Sequence, residues 1–393
     1  MTRRLQLAYV TLNGRIPSGS ANSVGVMNMC GQFAVQGLET LLVIPDGLAR
    51  PLTELGFSGD LMAYYSVPAP FKIKRFPNYY SGRLVYFRQL YSLALAVYLR
   101  LRRIPLILSR NLETAYWAAF LGLSVIFESH NYSKYEQHRL LPAWVRMTRK
   151  AEKRVSMVVT THAGKLSYAG RGVPESSIMV LPNGVDTKRF TSELSKEEIR
   201  RSLGIPENKI TVTFCGSLHE GRGIEEVLDC ASRLRNAHFI IVGGATEQVR
   251  KYRKDCVDKR VRNVEFSGHV PQRDVPAYLL ASDVLLMPYT TRFAAHSFEY
   301  TSPMKMFEYL AAGVPMVATD FPVLHEILKH GRNAIFVKPD SGEYLAQGIQ
   351  TLLADSEYAA AIGSTARADA EKYSWETRAR TIIEWQRQLG NIG

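Results

Sequence analysis

Cysteine is scarce in this 393-residue chain. The four present, Cys30, Cys215, Cys230 and Cys256, show no paired spacing. That argues against a disulfide framework or a thiolate zinc site. Cys30, Cys215 and Cys230 sit in apolar stretches and read as reduced core residues of a cytosolic protein. No Asp-x-Asp and no His-Glu-x-x-His occurs, so no motif supplies a metal–diphosphate clamp. No apolar run reaches the ~18–20 residues needed to cross a bilayer, and the nearest, Tyr91 to Leu101, is too short. Met1-Thr2-Arg3-Arg4 ahead of Leu5 to Leu12 superficially resembles a signal peptide. The run is brief and ends in Asn13-Gly14 without a small-residue cleavage pattern, which predicts a first buried strand instead. Acidic residues are missing altogether between 61 and 112.

What is present is ordinary for a globular protein in apolar content (46%) and charged content (22%), but the net charge is +13. Such a surplus predicts anionic partners: nucleic acid, anionic lipid or phosphorylated small molecules. The acid-free stretch concentrates it. Lys72, Lys74, Arg75, Arg83, Arg88, Arg100, Arg102, Arg103 and Arg110 alternate there with Phe71, Phe76, Tyr79, Tyr80, Tyr86, Phe87, Tyr91 and Tyr98. Basic residues with interfacial aromatics suit an anionic membrane surface, here residues 71–103. A helix packed on a sheet with a solvated basic edge fits the same letters. Nucleic acid would need a recognition motif, and none accompanies the run. A second basic run, Arg139, Arg146, Arg149, Lys150, Lys153 and Arg154, includes Trp144 and adds to the membrane reading.

Along the chain, strand, glycine loop and helix alternate. Leu5–Val10 is a strand, followed by a loop with Ser18-Gly19-Ser20, a helix from Val24 and a strand at Leu41–Ile44. Asp46 is the acid nearest the tip of that second strand, and the loop is not Gly-x-Gly-x-x-Gly, which argues against a dinucleotide site. Further strands follow at 105–110, 124–128 and 158–161. Ser129-His130-Asn131 lies at a strand's carboxyl end, where open α/β sheets place ligands. The pattern restarts at Ile210–Cys215, runs into Gly216-Ser217-Leu218-His219-Glu220-Gly221-Arg222-Gly223, and continues through a strand and turn at 239–244, a segment 264–271 that leads into a helix, and a strand at 283–289. Length and pattern predict domains over 1–185 and 186–372, with a terminal helix in 373–393.

The most informative stretch is Ser302 to Pro315. Ser302 is a good N-cap and Pro303 suits the first helical position. Gly313 suits the left-handed C-terminal position, and Pro315 blocks continuation. Lys305 stands in the first turn, where the helix dipole is already positive. A cation there is explained if an anion docks on it and on the free N–H groups. Glu308, three residues on, could accept bonds from two vicinal hydroxyls. The plain alternative is an i,i+3 ion pair worth roughly 0.2–0.5 kcal/mol, in the weaker order.

Together with Val317-Ala318-Thr319-Asp320 and His325-Glu326-Ile327, this stretch resembles the donor-nucleotide motif of GT-B glycosyltransferases of the GT4, or group 1, family. The resemblance implies two Rossmann-like doubly wound α/β domains facing across a cleft. It also implies a retaining, metal-independent transfer of sugar from a nucleoside diphosphate sugar to a hydroxyl acceptor, without a further cofactor. By that resemblance Ser302, Pro303, Lys305, Gly216, Ser217 and Arg222 would meet the diphosphate, and Glu308 the ribose. Val270, in Gly268-His269-Val270, would border the base, Gly19 would face the donor, and His130, in Glu128-Ser129-His130, the sugar. Arg222 replaces a customary lysine, and Ser217 stands where an arginine is frequent. Tyr300 occupies the place of a customary sugar-binding glutamate, with Glu299 one step away. The expected acceptor is a lipid-linked glycan or surface polysaccharide, and the expected location cytoplasmic, peripheral to the membrane. Two alternatives remain: a soluble enzyme acting on a small metabolite, and a catalytically silent module that binds nucleotide sugar or a partner protein.

Overall fold

Thirteen short strands build two wholly parallel sheets in a computed structural model that describes residues 4–12, 16–45, 60–76, 85–292 and 298–392. In the first sheet the strands are β1 (Leu7–Val10), β2 (Thr40–Pro45), β3 (Lys72–Phe76), β4 (Leu106–Ser109), β5 (Ser124–Ser129), β6 (Val155–Val159) and β7 (Ile178–Val180), in the order β3-β2-β1-β4-β5-β6-β7. The second holds β8 (Thr211–Cys215), β9 (His238–Val242), β10 (Val264–Gly268), β11 (Val284–Met287), β12 (Met316–Thr319) and β13 (Ile335–Val337), ordered β10-β9-β8-β11-β12-β13. Each sheet reverses its winding once, between β1 and β4 and between β8 and β11. Such switch points open a crevice at the strands' carboxyl ends.

The strands read as continuous apolar runs because both faces are covered. The second sheet shows how. Ile240, Val242, Leu285, Met287, Met316 and Ala318 enter one buried cluster. Their neighbours Phe239, Ile241, Val284, Leu286 and Val317 enter another. Period-two alternation thus splits the residues of one strand between two cores. All four cysteines are buried, with Cys215, Cys230 and Cys256 inside these apolar clusters.

The chain separates into two compact units. One comprises Met1–Asn183, Glu299–Ser302 and Trp375–Gly393; the other comprises Gly184–Phe298 and Pro303–Ser374. The final helix, Trp375–Gln388, packs within the first unit, burying Trp375, Ala379, Ile382 and Ile383.

Three local expectations change. The helix after residue 302 spans Met304–Ala312, so Pro303 is its N-cap and Ser302 lies outside it. The Ser302 hydroxyl accepts instead from the Asn183 backbone N–H at 3.0 Å, so it cannot cap. The charged stretch Ser192 to Leu203 reads in sequence as one helix; the helix starts at Lys196, capped by Ser195. Trp144, read as a membrane contact, is fully buried and packs edge-on against Phe127 at 5.6 Å. It falls on the inward face of the helix Leu141–Lys150, which composition alone cannot resolve. Asp46, Asn13, Gly14, Tyr79, Tyr80 and Arg83 lie outside the described residues, as do the side chains of Tyr86 and Phe87.

Candidate functional site

In the second unit, β8 ends in Cys215 and the chain turns through Gly216 to Gly223 before the helix Ile224–Arg233. Gly216 has φ +150°, and a Cβ there would stand 2.9 Å from Lys305 Nζ. Glycine is therefore required both by backbone conformation and by the approach of the lysine. Gly223, at φ +80°, passes so near Pro288 that a Cβ would overlap the Pro288 carbonyl oxygen at 1.6 Å. These contacts hold the loop beside the carboxyl ends of β8 and β11, the switch point of this sheet.

Lys305 is the second residue of the helix Met304–Ala312, whose C-terminus is closed by Gly313 in the left-handed conformation. Its ammonium is buried and, among the described residues, has no hydrogen-bond acceptor. It rests over two rings, 4.1 Å from the centroid of Phe214 and 5.1 Å from that of Tyr289. The Arg222 guanidinium lies over the same Tyr289 ring, 5.3 Å from its centroid. Cation–π contacts of this kind are worth about 0.5–2 kcal/mol each, too little to replace a counter-ion. Burial first, then the nearby Arg222 charge, lowers the Lys305 ammonium to about 7. Two basic side chains at one aromatic floor, beside a helix N-terminus without a side-chain cap, could take a polyanion.

Glu308 lies one turn further. It does not pair with Lys305; its carboxylate accepts from the Gln272 side-chain amide. Burial raises its pKa, against the opposing pull of Arg189. Ser217 is exposed beside Gly216, and Val270 is half-buried against the apolar cluster of this unit. Gly216, Arg222 and Lys305 are thus brought together, with Glu308 on the same helix. Phe214 and Tyr289, the aromatic floor, escaped sequence reasoning. The only signal was an aromatic residue near the carboxyl end of each of two neighbouring strands, Phe214 within β8 and Tyr289 two residues beyond β11.

In the first unit, a cavity of about 280 Å³ is lined by residues including Asn22, Arg110, Glu128, His130, Lys134 and Asn183. His130 Nε2 lies 3.0 Å from Glu128 Oε1. Glu128 is 1% exposed and also receives Arg110 Nε at 3.2 Å, Arg378 Nη2 at 2.8 Å and the Tyr9 hydroxyl. Burial first, then the Arg110 charge, pulls His130 down to about 4, which keeps the ring neutral at pH 7. Gly19 is exposed in a loop where Ser18, Ser20 and Ser23 bond to one another. Glu299 is exposed. Tyr300 is turned into this unit, where its hydroxyl bonds Ser167 at 3.2 Å and its ring packs on Tyr132. Tyr9 and Arg378 carry no local motif and were missed; Arg110, counted in the basic run, is instead buried against Glu128. Arg378 reaches Glu128 across 250 residues of sequence.

Among known proteins, the family described as glycosyl transferases group 1 matches residues 195–369. An uncharacterized glycosyltransferase of Methanocaldococcus jannaschii is 30% identical over 219 residues, covering 53% of this chain and 54% of that protein. A GDP-mannose-dependent alpha-(1-6)-phosphatidylinositol monomannoside mannosyltransferase of Mycobacterium tuberculosis is 29% identical, covering 56% and 58%. The chain therefore aligns with about half the length of these curated relatives. Among solved structures, Anabaena HepE in complex with UDP matches with TM-score 0.73 and 18% identity, covering 97% of this chain and 99% of that one. Sucrose-phosphate synthase from Thermosynechococcus elongatus matches with TM-score 0.74 and 17% identity, covering 98% and 99%. These likenesses show the fold, two Rossmann-like units of the GT-B type.

Proposed function

From the match of residues 195–369 to the glycosyl transferases group 1 family, we propose that the chain is a member and transfers a sugar from a nucleoside diphosphate sugar to a hydroxyl acceptor with retention at the anomeric carbon. The observation that carries this reading is the buried Lys305 ammonium, without an acceptor, sharing the Tyr289 ring with Arg222. An uncompensated buried cation is costly unless a ligand anion completes it. Lys305, Arg222 and the N-terminus at Pro303 would hold the diphosphate and stabilise its charge as it leaves, supplying from the protein what a metal ion supplies in other sites. Gly216 and Ser217 would line its backbone side, and Val270 the base. Glu308 would exchange Gln272 for the ribose hydroxyls. His130, Gly19 and Glu299 would border the sugar.

A thermal-shift screen of UDP, GDP and ADP tests the first step. Bound ligand stabilises by RT ln(1 + [L]/Kd), so one nucleotide should raise the midpoint clearly, and Lys305→Met should reduce the rise. No shift with any of the three would oppose the reading. A nucleotide that binds without sugar ever being transferred would favour a silent binding module.

The acceptor we propose is lipid-linked, reached from the cytoplasmic face of a membrane. The name of the M. tuberculosis relative, a phosphatidylinositol monomannoside mannosyltransferase, is in keeping with this. The supporting feature of this chain is the helix Val85–Leu101. Leu90, Val97 and Leu101 are 62%, 40% and 77% exposed, and with exposed Ala94 they form one outward apolar stripe at helical spacing. Arg88, Arg100, Arg102 and Arg103 flank it, all exposed. Arg100 partly serves the fold, donating to the Leu121 carbonyl. Changing Arg102 to Ser and Arg103 to Asn should therefore weaken binding to anionic vesicles by about 2 kcal/mol, near 1 kcal/mol per charge. Equal binding to neutral vesicles would count against the membrane reading.

A further inference from the structure

We infer that Glu128 is a positioning residue for His130: its carboxylate, held by Tyr9, Arg110 and Arg378, accepts the His130 Nε2–H and leaves Nδ1 as the nitrogen open to a sugar hydroxyl. The inference rests on the placement of His130 at the donor sugar proposed above.

The argument begins with the carboxylate. Burial alone would push Glu128 upward, but Arg110 and then Arg378 outweigh it and hold the group well below the usual carboxylate range. An ionised carboxylate has no proton and can only accept. The 3.0 Å contact with His130 therefore requires the proton on Nε2. Neutral imidazole carries one N–H, so Nδ1 must be bare. Nδ1 has no hydrogen-bond partner among the described residues, while the ring is 28% exposed and lines the cavity.

The surrounding bonds make the arrangement stiff. Arg110 is committed on three sides: Nε to Tyr9 at 2.9 Å, its Nε and Nη2 to Glu128, and Nη1 to Asn22. Arg378 is braced on the far side by the Pro182 carbonyl at 2.9 Å. Neither guanidinium can turn to His130 without abandoning a buried partner. The chemical consequence concerns charge. Glycosyl transfer passes through a transition state with positive character at the sugar. A neutral ring that accepts from a hydroxyl orients the sugar without adding a second positive charge; an imidazolium would oppose it.

The wild-type protein tests this directly. Selective ¹⁵N-histidine labelling, with His130 assigned by its loss in His130→Ala, reads the tautomer from the ring shifts. The expected result is a neutral Nε2–H ring from pH 8 down to pH 5. A Nδ1–H ring, or an imidazolium at pH 7, overturns the inference. Glu128→Gln provides the functional arm, because an amide can also donate to Nε2 and so releases the tautomer. UDP release from UDP-glucose, or GDP release from GDP-mannose, should fall about 10–100-fold in kcat with KM little changed. In a His130→Ala background the same change should have no further effect. An undiminished second fall in that background would assign Glu128 a fold-holding role and overturn the positioning role. Wild-type turnover by His130→Ala would instead overturn the placement of His130 at the sugar, and leave the tautomer assignment standing.

Discussion

Binding of a nucleoside diphosphate should take up a proton, and Lys305 sets how much. Its ammonium, lowered to about 7 by burial and then by Arg222, is roughly nine-tenths deprotonated at pH 8. A diphosphate against it needs the charged form. Saturating the site at pH 8 should therefore draw in ~0.9 proton, and at pH 7 ~0.5. Each further pH unit costs ~1.4 kcal/mol, so affinity should fall about tenfold from pH 8 to pH 9. The nucleotide's terminal phosphate, with a pKa near ~6, is already ionised across this range and contributes little. Isothermal titration with UDP or GDP, in two buffers of different ionisation enthalpy, gives the proton count. Lys305→Met removes the titrating group and serves as the reference, because Glu308 also lies in this electrostatic neighbourhood. The sign for folding runs in parallel. The unfolded chain keeps this proton up to about 10.5, so without ligand the wild type should gain stability relative to Lys305→Met as pH rises from 7 towards 10. Zero uptake at pH 8, with affinity flat from pH 7 to 9, would refute the contact between Lys305 and the diphosphate.

Three further outcomes follow from single contacts. Gly216→Ala forces a Cβ to 2.9 Å from Lys305 Nζ at φ +150°, and should cost about 1–3 kcal/mol of stability while weakening nucleotide binding; unchanged binding would place the anion elsewhere. Glu308→Gln should raise the donor KM far more than it changes the affinity for inorganic diphosphate, checked by competition, because it is assigned to the ribose. Trp144→Ala should destabilise by about 3–5 kcal/mol in chemical denaturation and leave vesicle affinity unchanged in the folded fraction, because the indole is core and not surface.

Local signals made the framework legible. Gly313 and Pro315 marked the end of the clamp helix, and apolar runs of four to six residues marked strands buried on both faces. The proposed clamp suggested itself because Lys305 violates a local rule, a cation at a positive helix end, and such violations point to ligands. What stayed hidden depended on contacts distant in sequence. Nothing near Glu128 announces that Arg378 reaches it, and nothing near Lys305 announces Phe214 or Tyr289. Ser302 looked like a cap because its hydroxyl fits one; the structure gives that hydroxyl to Asn183. Trp144 looked interfacial because composition reports neighbours in sequence, whereas the face of a helix decides burial.

The central claim, that Lys305 and Arg222 hold the diphosphate of a sugar donor as it leaves, is tested most directly by donor turnover. UDP-, GDP- and ADP-sugars would be incubated with wild type and with Lys305→Met, and nucleoside diphosphate release measured. One donor should be consumed by wild type, and the variant should lose at least ~10²-fold in kcat while remaining folded. Wild-type rates in the variant, or no donor consumed with any acceptor offered, would contradict it.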